Sequence, residues 1–234
     1  MTEELDAVFL DLGGTLVDTT VPRENIWSDV LLEHGERVKR AEIVAALRKT
    51  DRELDDRFAT IQGADERPFW IEYDESVLKH MGLGLRAEDV IQDLSAAMRD
   101  TIMKDSNWVD YPDARPFLEA LSERDLDVGL ISNATDLARR VLRRLDLERY
   151  FDPIIISSEV GHRKPSKQIF DIALRQTAVA SSRALYIGDK PAVDVEGASN
   201  AGMNAILIDR EGLFPDTDCI RIPDLNSLGA YVRV

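Results

Sequence analysis

Asp11 closes the apolar run Ala7-Val8-Phe9-Leu10 and opens the turn Leu12-Gly13-Gly14-Thr15. A carboxylate at the end of a buried strand is costly unless it meets a cavity, a cation or a loop that it caps. Gly13 and Gly14 could turn backbone N–H groups into a concavity and hold an anion there. Three later segments carry comparable chemistry. Ser132-Asn133 ends a second apolar run, where both side chains suit a helix cap and where a hydroxyl with helix-terminal N–H groups also suits phosphate. Lys164 lies in Gly161-His162-Arg163-Lys164-Pro165, is one of only seven lysines, and has its backbone restrained by the proline after it. An ammonium fixed beside Asp11 would lower that carboxylate's pKa and screen it from an incoming anion. Asp189 and Asp194 stand five residues apart in Gly188-Asp189-Lys190-Pro191-Ala192-Val193-Asp194, across a strand-to-helix turn. The alternative for Asp194 is that it merely begins the following helix, favourably placed for its dipole. If these carboxylates converge on Asp11, their repulsion calls for a cation, and an all-oxygen donor set suits Mg²⁺.

The elements that must position these groups follow from hydrophobic periodicity. Residues 7–10 read as a buried strand ending in a loop. From about Pro22 to Lys104 the spacing becomes helical, as in Ile26, Trp27, Val30 and Leu31, then Ile43, Val44 and Leu47, then Val77, Leu78 and Met81, then Val90, Ile91 and Leu94. Beyond Tyr111 strands and helices alternate: helix 114–123, strand 128–131, helix 136–145, strand 153–156, helix 166–177, strand 184–187, helix 193–201 and strand 205–208. That alternation implies a parallel sheet covered on both faces, a Rossmann-like doubly wound α/β core, whose ligands sit beyond the carboxyl ends of its strands. Asp11, Ser132-Asn133 and Asp189 all fall at that edge. The expected division is a core of 1–18 and 108–234 interrupted by an all-helical insert of 19–107.

Composition narrows the function. The 234-residue chain has 29 basic and 44 acidic residues, a formal charge of −15, which disfavours nucleic acid and anionic membranes as partners. With 44% hydrophobic residues it can fill a core, and its single cysteine, Cys219, excludes an internal disulfide framework. No stretch approaches the ~20 apolar residues that span a bilayer. The acidic start Met1-Thr2-Glu3-Glu4 is unlike a signal peptide, so a cytoplasmic protein is expected. The charge is itself biased, with 27 Asp to 17 Glu and 22 Arg to 7 Lys. That bias suits either work at high salt, where screening relieves carboxylate repulsion, or simply a GC-rich genome.

Asp11, Ser132, Lys164 and the Asp189–Asp194 pair, in this order and with this intervening structure, resemble the four motifs of the haloacid dehalogenase superfamily of hydrolases over essentially the whole chain. The resemblance implies that Asp11 is a nucleophile forming an aspartyl-phosphate and that Lys164 serves catalysis and phosphate binding together. It implies that Ser132, Asn133 and Gly14 take phosphate oxygens, and that Asp11, Asp189 and the Gly13 carbonyl hold Mg²⁺ while Asp194 orients Lys164. The helical insert is similar to the family's cap domain, which selects a small phosphorylated substrate.

One position departs from the family pattern. Its phosphatases carry a second aspartate two residues after the nucleophile, which protonates the leaving group and later activates water, and here that place is Gly13. Loss of acid–base help costs typically ~10²–10⁴-fold in rate. The leading expectation is a Mg²⁺-dependent phosphatase handicapped in those steps, with acyl and aryl phosphates served best. A phosphonate hydrolase using a Schiff-base lysine from Lys39, Lys49, Lys79 or Lys104, a dehalogenase-type hydrolase, and a phosphoryl-ligand binder of little or no activity are the alternatives. His162 is the histidine nearest the motifs and a substitute base to consider, whereas His34 and His80 read as surface. Trp27, Phe69 and Trp70 fit core packing or substrate contact.

Overall fold

In a computed structural model of the chain, residues 5–61, 67–83 and 87–230 are described, so the acidic residues 1–4 lie outside the described part. The chain divides into two compact units, Met1–Asp18 with Trp108–Val234, and Thr19–Asn107. The strands in chain order are β1 (Ala7–Leu10), β2 (Val17–Thr19), β3 (Trp108–Asp110), β4 (Asp127–Ser132), β5 (Ile154–Ile156), β6 (Ala184–Gly188), β7 (Asn204–Ile208) and β8 (Arg221–Ile222). Six of them form one sheet in the order β5-β4-β1-β6-β7-β8, and its strand pairs are all parallel. β2 and β3 make a separate ribbon.

Both faces of the sheet are covered, which is why its strands read as continuous apolar runs. Val8 and Leu10 of β1 pack with Leu130, Leu185 and Ile187 on one face. Ala7 and Phe9 pack with Ile131, Phe170 and Tyr186 on the other. Each fully buried Leu, Ile or Phe contributes about 1.5–3 kcal/mol, so the three central strands are the best-held part of the molecule. The chain crosses from β1 to β4 and β5 on one side, then returns past β1 to β6, β7 and β8 on the other. That reversal makes the carboxyl ends of β4, β1 and β6 the topological switch point, where sheets of this kind bind their ligands.

The second unit holds α1 (Arg23–Glu33), α2 (Arg40–Glu53), α3 (Asp55–Ala59), α4 (Arg67–His80) and α5 (Ala87–Ile102). Trp27, Val30, Leu31, Ile43, Leu47, Phe69, Val77, Val90, Ile91 and Leu94 share one core, as the helical spacing requires. Trp27 and Phe69 are therefore core residues, while Trp70 is exposed. Among the described residues no helix is long and apolar enough to cross a membrane.

A buried carboxylate lies on α4. Asp74 of α4 is 7% exposed, beside Tyr73 and Val77, and burial raises its pKa to about 7. The native state then binds this proton more tightly than the unfolded chain, whose Asp pKa is about 3.9. Stability is unpenalised below about pH 4 and falls as pH rises toward 7. Asp74→Asn is expected to stabilise the helical unit by on the order of 2–4 kcal/mol at pH 8 and by almost nothing at pH 4. Thermal unfolding at the two pH values checks this, and an equal shift at both would contradict it.

The core helices are α6 (Ala114–Ser122), α7 (Leu137–Arg144), α8 (Ser157–Val160), α9 (Lys167–Thr177) and α10 (Glu196–Asn200). They follow the expected alternation closely, with three departures. The ribbon β2–β3 and the two-residue β8 are too short to carry a period. The short helix α8 directly follows β5. The helix expected over 193–201 begins instead as a wide turn, Pro191–Val195, in which Val195 N–H donates to Lys190 O at 3.3 Å, and α10 follows it.

Candidate active site

The three motif strands are immediate neighbours, so their ends converge. Asp11 extends β1 by one ladder bond, its N–H donating to Ile187 O at 2.9 Å, and it is 8% exposed. Ser132 ends β4 and is buried. Asp189 follows β6, and one carboxylate oxygen from each of Asp11, Asp189 and Asp194 lies within 4.8 Å of the others.

Lys164 is the hub of this cluster. It is 3% exposed, and its Nζ donates to Asp11 Oδ1 at 2.7 Å, Asp194 Oδ1 at 2.7 Å and the Tyr186 hydroxyl at 2.8 Å. Its backbone is held from both sides by one carboxamide. Asn133 Nδ2 donates to Lys164 O at 2.9 Å, and Lys164 N–H donates to Asn133 Oδ1 at 2.8 Å. Asn133 is thus a clamp on the lysine loop, and its side chain has both ends engaged. All three ammonium protons have protein acceptors, so a bond from Lys164 to phosphate requires exchanging one of them.

Two glycines permit the carboxylates to crowd. A Cβ on Gly188 would lie 2.4 Å from Asp194 Cγ, and one on Gly14, whose φ is +73°, would lie 2.5 Å from Asp189 Oδ2. Gly14 N–H donates to Val17 O at 2.9 Å, closing the turn after Asp11. The N–H is thus engaged in the turn, and the absent side chain is what lets Asp189 approach. The turn is clamped from outside by Arg210, whose Nη2 donates to Thr15 O at 2.7 Å while the guanidinium grips Asp113 at 3.0 Å and lies over the Tyr111 ring.

The electrostatics are those of an excess of buried negative charge. Burial raises Asp11 to about 7, opposed by Lys164 and reinforced by Asp194 and Asp189. Burial likewise raises Asp189 to about 6, opposed by Lys190, whose Nζ lies 3.5 Å from Asp189 Oδ2. Burial acts to lower the Lys164 pKa, but Asp11 and Asp194 together hold it above the ordinary lysine value. The donor set fits a hard divalent cation: carboxylate oxygens crowd together against two ammonium groups, and Asp11 Oδ2 has no hydrogen-bond partner among the described residues. Asp194 is otherwise committed, its Oδ1 to Lys164 and its Oδ2 to the Lys190 N–H at 3.0 Å.

Sequence reasoning did not single out Tyr186, Trp108 or Arg210. Tyr186 sits inside an apolar strand and reads as core. Trp108 precedes the first core helix, yet its Cζ3 lies 3.8 Å from where a Gly13 Cβ would stand. Arg210 gave no local signal. His162 is exposed. Lys39, Lys49 and Lys104 are exposed in ion pairs with Glu42, Glu53 and Asp100, and Lys79 is exposed, so none has the desolvated amine that a Schiff base needs.

Comparison with known proteins agrees with this geometry. The chain is 40% identical over 116 residues to the phosphoserine phosphatase of Thermus thermophilus, a match covering 49% of this chain and 46% of that protein. The chain thus spans about half the length of that curated relative. Over 76% of this chain and 75% of the relative it is 32% identical to phosphatase MT3486 of Mycobacterium tuberculosis. The HAD-hydrolase YfnB of Bacillus subtilis, solved bound to magnesium, superposes with a TM-score of 0.69 over 99% of this chain and 100% of that one, at 16% identity. The model of the haloacid dehalogenase-like hydrolases matches residues 5–202. With that match over most of its length, and with a buried aspartate–lysine–aspartate cluster where three parallel strands end, the chain belongs to the haloacid dehalogenase-like hydrolase family.

Proposed function

We propose that the chain is a Mg²⁺-dependent phosphatase of a small phosphorylated metabolite, acting in the cytoplasm through a phosphoryl group carried on Asp11. The observation that carries this reading is the Asp11 carboxylate itself: one oxygen is fixed by Lys164 at 2.7 Å, and the other is uncommitted at the mouth of a parallel sheet. The phosphatase names of its relatives support the substrate class.

Asp11 Oδ2 attacks phosphorus, the ester P–O bond breaks, and the leaving oxygen takes the electron pair. Water then attacks the phosphoryl group, releasing inorganic phosphate and restoring the carboxylate. Ser132 and the backbone N–H of Asn133 take phosphoryl oxygens. Lys164 holds Asp11 ionised and aimed, and Asp194 holds Lys164. Asp11, Asp189 and the Gly13 carbonyl would hold Mg²⁺, which when bound supplies positive charge to the phosphoryl oxygens. Gly13 leaves the leaving oxygen without a side-chain acid, so substrates whose leaving groups are stable as anions are favoured.

The test is hydrolysis of a panel of alkyl, aryl and acyl phosphates with and without Mg²⁺, together with trapping of the phosphorylated protein. Metal-dependent turnover and an alkali-labile phosphoryl adduct are expected. Activity unchanged by a chelator would overturn the metal assignment. Tight phosphate-ester binding with no adduct would mean a binder and not an enzyme.

A further inference from the structure

We propose that Tyr186 is a positioning residue of this site, its hydroxyl serving as the neutral third acceptor that fixes the Lys164 ammonium against Asp11. This rests on the Asp11 reading above and extends it to a residue outside the four motifs.

The ammonium offers three protons, and a buried donor left unpaired is costly. Two of its acceptors are carboxylates, Asp11 and Asp194, each at 2.7 Å. A third carboxylate would add charge to a cluster that already has an excess. Tyr186 supplies an acceptor without charge, at 2.8 Å. Its own proton has a choice of Ile131 O and Asp194 Oδ1, each at 3.1 Å. The hydroxyl therefore ties the lysine to the main chain of β4 one residue before Ser132, as well as to β6. The ring is fixed independently: it is fully buried, meets Phe170 edge-on with centroids 5.3 Å apart, and lies 5.4 Å from Lys164 Nζ. A phenylalanine here would keep the packing and lose only the hydroxyl.

That separation defines the experiment. In protein carrying nitrogen-labelled lysine, the Lys164 ammonium is expected to give a slowly exchanging signal, assigned by its loss in Lys164→Met. Few lysines compete, and this one is buried. In Tyr186→Phe, exchange of that signal is expected to quicken at least about tenfold, since a donor without an acceptor opens to water. Turnover of a phosphate ester is expected to fall about 10- to 100-fold in kcat with KM within about twofold, the pattern of misplaced machinery and not of lost substrate binding. The control Phe170→Leu loosens the ring packing and is expected to change neither the exchange nor the ratio of kcat to KM effects.

A Lys164 signal as protected in Tyr186→Phe as in the parent overturns the proposal, as does quickened exchange with unchanged kcat. If Tyr186→Phe does not fold, the parent alone decides, because an ammonium exchanging at the solvent rate has no third acceptor. A parent that lacks phosphatase activity but keeps the protected signal refutes the phosphatase reading and leaves the hydrogen bond standing.

Discussion

Asp11→Asn is expected to fold as well as the parent and to lose phosphate-ester hydrolysis by about 10⁴-fold or more. The two halves of that expectation have one cause. Asp11 is buried among like charges, which raises its pKa to about 7, so the ionised form is held at a cost to stability. An amide of the same shape removes that charge while keeping an oxygen for Lys164, whose other acceptors, Asp194 and Tyr186, are untouched. Stability is therefore expected to be unchanged or higher at pH 8, where the parent carries the full charge. The nucleophilic oxygen is gone, and no other carboxylate can replace it: both oxygens of Asp194 are committed, and Asp189 lies at the neighbouring strand end. Thermal unfolding and initial rates on one preparation check both halves. Hydrolysis that survives the substitution sinks the phosphoenzyme route, and a large loss of stability would mean that the ion pair with Lys164 is structural first.

Gly13→Asp is expected to act in the opposite direction, raising turnover of an alkyl phosphate by about 10²-fold and up to 10⁴-fold. Space permits the change. Among the described residues a Cβ at this position would meet only Trp108 Cζ3 at 3.8 Å and Cη2 at 3.9 Å, ordinary contact distances, and Gly13 is not among the glycines of positive φ. The added carboxyl would supply the leaving-group proton and later activate water. An aryl phosphate, whose leaving group departs as a stable anion, gains less in the first step, so its rise is expected to be the smaller. The measurement is the ratio of the two enhancements in kcat/KM. Equal gains, or none, would show that the missing acid does not limit this protein.

How far the sequence reached depended on how local each signal was. β1, β4 and β6 are legible because short, mainly apolar runs lead directly into Asp11, Ser132 and Gly188-Asp189. Strand neighbours follow from pairing between distant segments, so the convergence of these three ends rests on Ala7 lying beside both Asp127 and Ala184, which no local pattern encodes. The pairing of Lys164 with Asp11 was anticipated from scarcity and a restraining proline, but the count of its acceptors was not. Tyr186 occupies a strand position where an aromatic residue ordinarily means packing, and it does pack; its hydroxyl partners, Lys164 and Ile131 O, come from segments distant in sequence. Gly14 shows the converse. A glycine pair suggests freedom of the backbone, whereas here the decisive property is the missing side chain that lets Asp189 approach.

The central place of β1 has a consequence for how the protein is made. Residues 7–10 emerge before the segments that fill both edges of the strand, residues 127–130 and 184–187. Until those segments follow, the nascent chain carries an apolar segment with two open edges, the kind of template on which chains associate wrongly. Asp11, at the tip of that segment, meets its lysine 153 positions later. Assembly of the reactive cluster and closure of the sheet are thus one late, long-range event, so a chain truncated before β6 has neither.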